Sequence, residues 1–454
     1  MIEKPLAPDV PAPMPPRPSF LRSAAATFAT NVAVAVLSFV SVLITARILG
    51  VSGRGSVAFL TTIAFLSAQL ATLGIFQAVA NFAAREPQLT RALAGASLAL
   101  SMLFGTVAAG IVALMVIFFP AVGGGSETGS LIMVLAAIPM LVLQPSLEQL
   151  LRAHYAFTLA NVAWVLMVVT NVAVIAMLGV LGALTVGTAV ASWIVGQLLR
   201  TVLLSWGIFQ RLDGFGRFDA ALTRRLLRFG LKAYFGRVML LGNYRLDQWL
   251  LGGIAGPREL GLYSVAVAWV EALFFLPTAL TMVQRPDLVR ASPREAERQA
   301  SIVFRAALLI TLVLAVGMFA LAPFLCETLF GEAFGSSVAM LRALIVGAFG
   351  IVALKLLGNA LTAQQKPMLE TAAVSTAFVC IVALDLILIP AHGGLGAAAA
   401  SSIAYSVGGV AVALIFIRAL GGRLRDLLPR GRDLTWLWRR LRSRVGASSG
   451  GALR

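Results

Sequence analysis

Between residues 227 and 252 the chain carries Lys232, Arg237, Arg245 and Asp247 inside a run long and apolar enough to cross a bilayer. A charged side chain near the middle of such a run costs about 2.5 to 3.5 kcal/mol on insertion scales, so these four need partners, a wet cavity or a function. Successive residues of a helix turn by about 100°, which spreads the four around the axis. Arg245 and Asp247 are two apart and cannot neutralise each other on one face, so at least one must reach another helix. Glu271, Arg342 and Lys355 are the candidate partners, with Arg200 and Asp385 further out. This set holds more Lys and Arg than Asp and Glu, and a cavity lined by it favours an anion such as a pyrophosphate head group. Glu148 is set aside because it precedes Arg152 by four residues, the favourable order for an ordinary helical pair. Interhelical pairing or snorkelling to the interface uses the same residue types. For Arg200, Arg342, Lys355 and Asp385, nearer the ends of their runs, that structural reading is preferred; for Arg237, Arg245, Asp247 and Glu271 the functional one is.

The amides Asn31, Asn161, Asn171, Asn243 and Asn359 also lie in apolar runs. Such side chains bind sugar hydroxyls when they face a cavity and bridge helices when they do not. Asn31 and Asn243 join the candidate substrate-binding set. Two cysteines and two histidines provide no metal-ligand spacing, and no cofactor is expected. The chain has no Gly-x-x-x-x-Gly-Lys-Ser/Thr phosphate loop, and no Ser, His and Asp set or carboxylate pair stands out for catalysis. The expectation is a protein that is not an enzyme. A membrane glycosyltransferase or polymerase is the weaker alternative, because its acceptor would ask for a large outer loop and the outer connections here are short.

The elements that must position these residues are transmembrane helices. With 59% apolar residues, 12% charged residues and a mean hydropathy of +0.92, a water-soluble fold is excluded. The net charge of +17 does not indicate nucleic acid, since the cations mostly lie between apolar runs. Twelve runs meet the roughly 20-residue requirement for crossing. The predicted spans are 23–46, 57–82, 92–119, 130–150, 155–178 and 180–207, then 227–252, 260–284, 301–323, 336–360, 369–390 and 394–419. This divides the chain into a Pro-rich tail (1–22), a six-helix lobe (23–207), a basic linker (208–226), a second six-helix lobe (227–419) and a basic tail (420–454). With the N-terminus inside, most cations fall on inner segments and only Arg47, Arg54 and Arg258 on outer ones, so both termini are expected to be cytoplasmic. Prolines 139, 145 and 277 are expected to kink their helices. The loop Arg285–Arg298 and the tail segment Leu434–Val445 have the composition of amphipathic surface helices.

Six crossings per half place both halves in the same orientation, a parallel repeat with a midplane cavity between lobes. The segment ARILGVSGRGSVAFL (46–60) pairs with LLGGIAGPRELGLYSVA (250–266), and GVLGALTVGTAVAS (179–192) pairs with GGLGAAAASS (393–402) through a shared Leu-Gly-Ala at Leu181 and Leu395. The pattern of Arg47, Leu49, Gly50 and Gly55, then Asp247 and Gly261–Tyr263, resembles the polysaccharide-biosynthesis flippases, the Wzx type, of the multidrug/oligosaccharidyl-lipid/polysaccharide superfamily. The resemblance spans about residues 20–420 and implies an all-α, twelve-helix fold like that of the multidrug (MATE) members. It also implies export of a polyprenyl-pyrophosphate-linked oligosaccharide across a bacterial cytoplasmic membrane, with membrane lipids, a polysaccharide polymerase and glycosyltransferases as partners. A cation-coupled multidrug exporter of the same superfamily is the alternative, disfavoured by the excess of Arg and Lys over acids.

Overall fold

In the computed structural model, residues 20–118, 123, 127–212 and 214–428 are described. The two tails lie outside them except for 20–22 and 420–428, so the surface helix expected at Leu434–Val445 falls outside the described residues. Among the described residues every regular element is a helix. The order is α1 (Phe20–Ala71), α2 (Ile75–Arg85), α3 (Thr90–Phe118), α4 (Thr128–Ala153), α5 (Phe157–Val180), α6 (Val186–Arg211), α7 (Ala220–Ile254), α8 (Gly256–Leu273), α9 (Phe275–Arg290), α10 (Pro293–Pro323), α11 (Ser336–Ala363) and α12 (Pro367–Leu420).

Nine helical stretches among the described residues are long and apolar enough to cross a membrane. Two of them, α1 and α12, are pairs of spans that fold back at Gly50 (φ 68°) and Gly393 (φ 55°). Helix α7, with its many charges, is not among the nine, and it completes the twelve crossings. The protein is a multi-pass membrane protein, and an even number of crossings puts both ends of the described chain on one face, the terminal face.

The internal repeat is written in the backbone. Left-handed residues recur at matching corners: Gly50 and Gly256, Tyr155 and Gln365, Gly182 and Gly393, Gly214 and Gly421. At the second pair the hydrogen bonds also match. Tyr155 N donates to Arg152 O and Ala156 N to Leu151 O, while Gln365 N donates to Thr362 O and Lys366 N to Leu361 O. The Leu-Gly-Ala register does not hold at the third pair. Leu181 and Gly182 form the turn, whereas Leu395 and Gly396 already lie inside α12, and the residue matching Gly182 in conformation is Gly393.

Two local expectations are also corrected, and the prolines find their places. The second span ends at Ala71, not at residue 82, because Leu73 (φ 42°) and Gly74 (φ 74°) turn the chain into the separate helix α2. Helix α4 continues through Pro139 and Pro145, and α8 breaks from α9 at Phe274, in the turn whose backbone hydrogen bond Pro277 removes, as its position predicts. Segment Arg285–Arg298 is no independent surface helix, since α9 continues to Arg290 and α10 starts at Pro293. Helix α7 begins inside the predicted linker, capped by Asp219 Oδ1, which accepts from Ala221 N (2.8 Å) and Leu222 N (3.1 Å).

The two halves meet at the opposite face through their equivalent corners. A Cβ on Gly55 would lie 1.7 Å from Pro257 O, and one on Gly261 would lie 2.0 Å from Val51 O. Glycine is required at both positions by backbone approach, the use small residues serve between membrane helices. Each contact is the image of the other under the repeat that matches Gly50 to Gly256. Behind this crossing lies a core built from α1, α8 and α11, including Phe59, Tyr263, Leu341 and Ile345.

Candidate functional site

A cavity of about 360 Å3 opens between the halves, lined by α1, α5 and α6 on one side and by α7 and α8 on the other. Its lining lies between the middle of these spans and the opposite face. The residues recur at helical spacing: Ser38, Ser41, Val42 and Thr45 before the Gly50 corner; Arg54, Ala58, Thr61, Thr62 and Phe65 after it; Ser264, Val267, Ala268 and Glu271 on α8. Asn171, Trp193, Gln197, Arg245 and Gln248 complete the polar and aromatic wall.

The charged groups of this wall are Arg54, Arg245 and Glu271. Arg245 pairs with Glu271 at 3.1 Å across α7 and α8. Arg54 is near enough to Arg245 for the two cations to repel, and the Arg54 Nε hydrogen has no partner. Thr62 Oγ1 donates to Gln248 Oε1 (3.2 Å), and Asn171 links Ser41 Oγ (3.3 Å) to Ser192 Oγ (2.6 Å). The cavity therefore offers two guanidinium groups, one carboxylate and many neutral hydrogen-bonding groups, an arrangement suited to an anion that also carries hydroxyls.

The structure brings together Arg245 and Glu271 from the expected set and disperses most of the rest. Asp247 is buried outside the cavity wall, where its carboxylate accepts from Tyr263 Oη (2.5 Å), Ser401 Oγ (3.3 Å) and Gln248 N (2.7 Å). Asn243 is buried too, and Nδ2 donates to Met239 O and to Val374 O (3.0 Å), tying α7 to α12. Arg342 lies over the Phe319 ring at 4.8 Å and is absent from the cavity wall. Lys232 is exposed, and Asn31 is half-buried away from the wall. The Arg237 side chain lies outside the described residues. Lys355 Nζ donates to Thr278 Oγ1 (3.0 Å) on the terminal side of the cavity.

Arg200 belongs to a separate cluster within the first half. It donates to Glu148 Oε2 (2.5 Å) and Gln144 Oε1 (3.2 Å) and lies over Trp164, and Glu148 also pairs with Arg152 at 2.7 Å. Glu148 is thus shared by two cations, not held by Arg152 alone. Asp385 is fully buried, with neither carboxylate oxygen hydrogen-bonded. Arg54 is the residue that sequence reasoning assigned to an outer connection and that the fold places in the wall. The polar residues recurring through 38–45 and 54–62 at helical spacing are the signal that would have found it.

Residues 44–339, about two thirds of the chain, match the family model described as "Polysaccharide biosynthesis protein". The chain belongs to that family. No curated protein matches this chain. Among solved structures, its fold is similar to "Lipid II flippase MurJ, inward closed conformation" (TM-score 0.74, 14% identity, 90% of this chain and 89% of that one). It is also similar to an inward-facing MATE multidrug resistance transporter of the MOP superfamily (TM-score 0.71, 16% identity, 85% and 94%). A MOP superfamily transporter from Pyrococcus furiosus, described as having a reversed polarity of its binding pocket, matches with TM-score 0.63 and 14% identity over 88% and 95%. At these identities the likeness shows that the chain shares the fold of these three proteins.

Arg47, quoted for the sequence resemblance, has a structural task in this fold. Its Nε donates to Leu329 O (2.6 Å) and its Nη2 to Thr328 O, fastening the first half to the segment that follows α10 at the opposite face.

Proposed function

We propose that the protein is an alternating-access flippase that moves a polyprenyl-pyrophosphate-linked oligosaccharide from the inner to the outer leaflet of a bacterial cytoplasmic membrane. The observation that carries this reading is the pair Arg54 and Arg245, offset by the single carboxylate Glu271, inside a cavity otherwise walled by hydroxyls and amides between the two halves. Guanidinium groups take phosphate oxygens with directed N–H donors, and in a low-dielectric setting such bonds are roughly twice as strong as neutral ones. Neutral Ser, Thr, Asn and Gln side chains match sugar hydroxyls, and Trp193 offers a face for a sugar ring. Membership of a polysaccharide biosynthesis family supports the substrate class, and a lipid II flippase among the proteins of this fold supports a flippase role. The excess of cations on the terminal-face segments supports a cytoplasmic location for both ends. A polymerase and glycosyltransferases are the partners this role calls for.

The test is replacement of Arg54 and Arg245, singly, with Ala in cells lacking the native gene. Membrane abundance, the lipid-linked oligosaccharide on each leaflet and surface polysaccharide are read together. The expected result is normal abundance, intermediate accumulated on the inner leaflet and lost surface polymer. If deleting the whole protein leaves surface polymer unchanged and raises sensitivity to cationic drugs, the exporter reading replaces this one.

A further inference from the structure

Below the cavity, toward the terminal face, α9 and α11 carry a second set of donors that the cavity does not use. Thr278 and Arg285 are two turns apart on α9, and Lys355 and Asn359 one turn apart on α11. The two helices are joined through them: Lys355 Nζ to Thr278 Oγ1 at 3.0 Å, and Arg285 Nη1 to Asn359 Oδ1 at 3.1 Å. Asn359 is only 7% exposed, and its Nδ2 donor has no partner. Arg285 is exposed and a guanidinium has five N–H donors, so the set is reachable from the terminal side. Lys355 also lies within range of the Glu271 charge, and Glu271 holds Arg245. The cationic groups thus form a sequence from Arg285 through Lys355 to Arg245 and Arg54, with one carboxylate between the two pairs.

We propose that Arg285, Lys355 and Asn359 form an entry subsite for a diphosphate group, distinct from the cavity and occupied before it. This rests on the flippase reading and adds the place where the head group is first held. Three features argue for a ligand beyond helix pairing. The contributed groups are donors, a buried amide N–H is left unmatched, and burying such a donor is costly unless something accepts from it. A phosphoryl oxygen meets that need and neutralises the two cations together. Stepping to Arg245 then requires only that the arriving anion replace Glu271 as its counter-charge.

The experiment is equilibrium binding of radiolabelled undecaprenyl pyrophosphate, without sugar, to the full chain in nanodiscs. Four proteins are compared: wild type, Arg54→Gln with Arg245→Gln, Arg285→Gln with Lys355→Met, and the conservative Lys355→Arg. Two equivalents are expected for wild type and Lys355→Arg, falling to one in either double variant. A single equivalent, lost only when Arg54 and Arg245 are replaced, overturns the entry subsite and leaves the cavity reading standing. No binding by folded wild type overturns the polyprenyl-pyrophosphate reading itself. Competition with inorganic pyrophosphate identifies the source: displacement of the Arg285-dependent equivalent at equal concentration assigns the subsite to the diphosphate alone, and failure to displace it assigns the subsite to the lipid-linked form.

Discussion

The same pairing of arginine with glutamate does different work at two depths. Arg245 and Glu271 are 33% and 38% exposed to the cavity, and pairs of that kind contribute no more than about 1 kcal/mol. Arg200 and Glu148 are 14% and 15% exposed, and removing one partner leaves a nearly buried charge, at a cost of about 3 kcal/mol. Glu271→Gln is therefore expected to leave the thermal midpoint within a few degrees of wild type and to tighten binding of undecaprenyl pyrophosphate, because Arg245 loses its internal competitor. Glu148→Ala is expected to lower the midpoint sharply, since Arg200 keeps Gln144 and the face of Trp164 but no counter-charge. Thermal unfolding in nanodiscs and the binding assay separate the two, and a large loss of stability in Glu271→Gln would contradict the cavity assignment. At this scale the sequence is partly legible. The cost of charge in an apolar run singled out Arg245 and Glu271, yet the same argument singled out Asp247, whose need is met by Tyr263, Ser401 and a backbone amide. Hydropathy registers that a charge is present; the partner comes from α8 and α12, which no local pattern around residue 247 specifies. Arg54 was passed over for the converse reason, since a cation beside a Gly-rich corner reads as a topology signal whether or not its helix turns it inward.

Among the elements, the twelve crossings were legible because each needs an apolar run of fixed minimum length, and the repeat because the corners need left-handed residues. What was not legible is where helices stop within an apolar stretch. The end of the second span at Ala71 depends on Leu73 and Gly74, and a Cβ on Gly74 would lie 2.2 Å from Gly230 O on α7. That contact is tertiary, so composition alone carried the expected span to residue 82. The Gly55 and Gly261 crossing yields a prediction at this scale. Either glycine replaced by Ala must push the same pair of helices apart, since each Cβ would meet the other helix's backbone. Once one substitution has separated them, the second adds little. Gly55→Ala and Gly261→Ala are each expected to lower the thermal midpoint, and the double variant to fall clearly short of the summed losses, a coupling that a double-mutant cycle measures. Additive losses would mean that the two contacts yield independently.

For the molecule as a whole, the cavity lies toward the opposite face and the halves are closed against each other at the terminal face. Closure there combines an apolar seam, in which Ile75, Ala78 and Val79 of α2 share a buried cluster with Leu222 and Leu226 of α7 and Phe82 meets Phe229, with a set of polar contacts. Arg225 Nη2 donates to Glu86 Oε1 at 2.9 Å and lies over Phe82, Tyr234 Oη donates to Leu70 O at 2.5 Å, and Gly74 packs on Gly230. At 53% and 30% exposure the Arg225–Glu86 pair adds little stability, which suits a contact that must break in every transport cycle. The crossing at Gly55 and Gly261 is backbone against backbone and is reinforced by Arg47 on the carbonyls of Thr328 and Leu329. In the proposed alternating-access cycle the terminal-face contacts would open to admit cargo, and the lobes would turn about the backbone crossing at the other end. A thiol-cleavable linker of about 10 Å joining Glu86→Cys to Arg225→Cys, in a protein with Cys326 and Cys380 replaced by Ser, holds the terminal face shut. Flipping of a fluorescent lipid-linked saccharide in proteoliposomes is expected to stop on cross-linking and return when the linker is cleaved. Flipping that continues at an unchanged rate with the linker fully formed would show that cargo does not pass between α2 and α7, and would move the entry route to another seam between the halves.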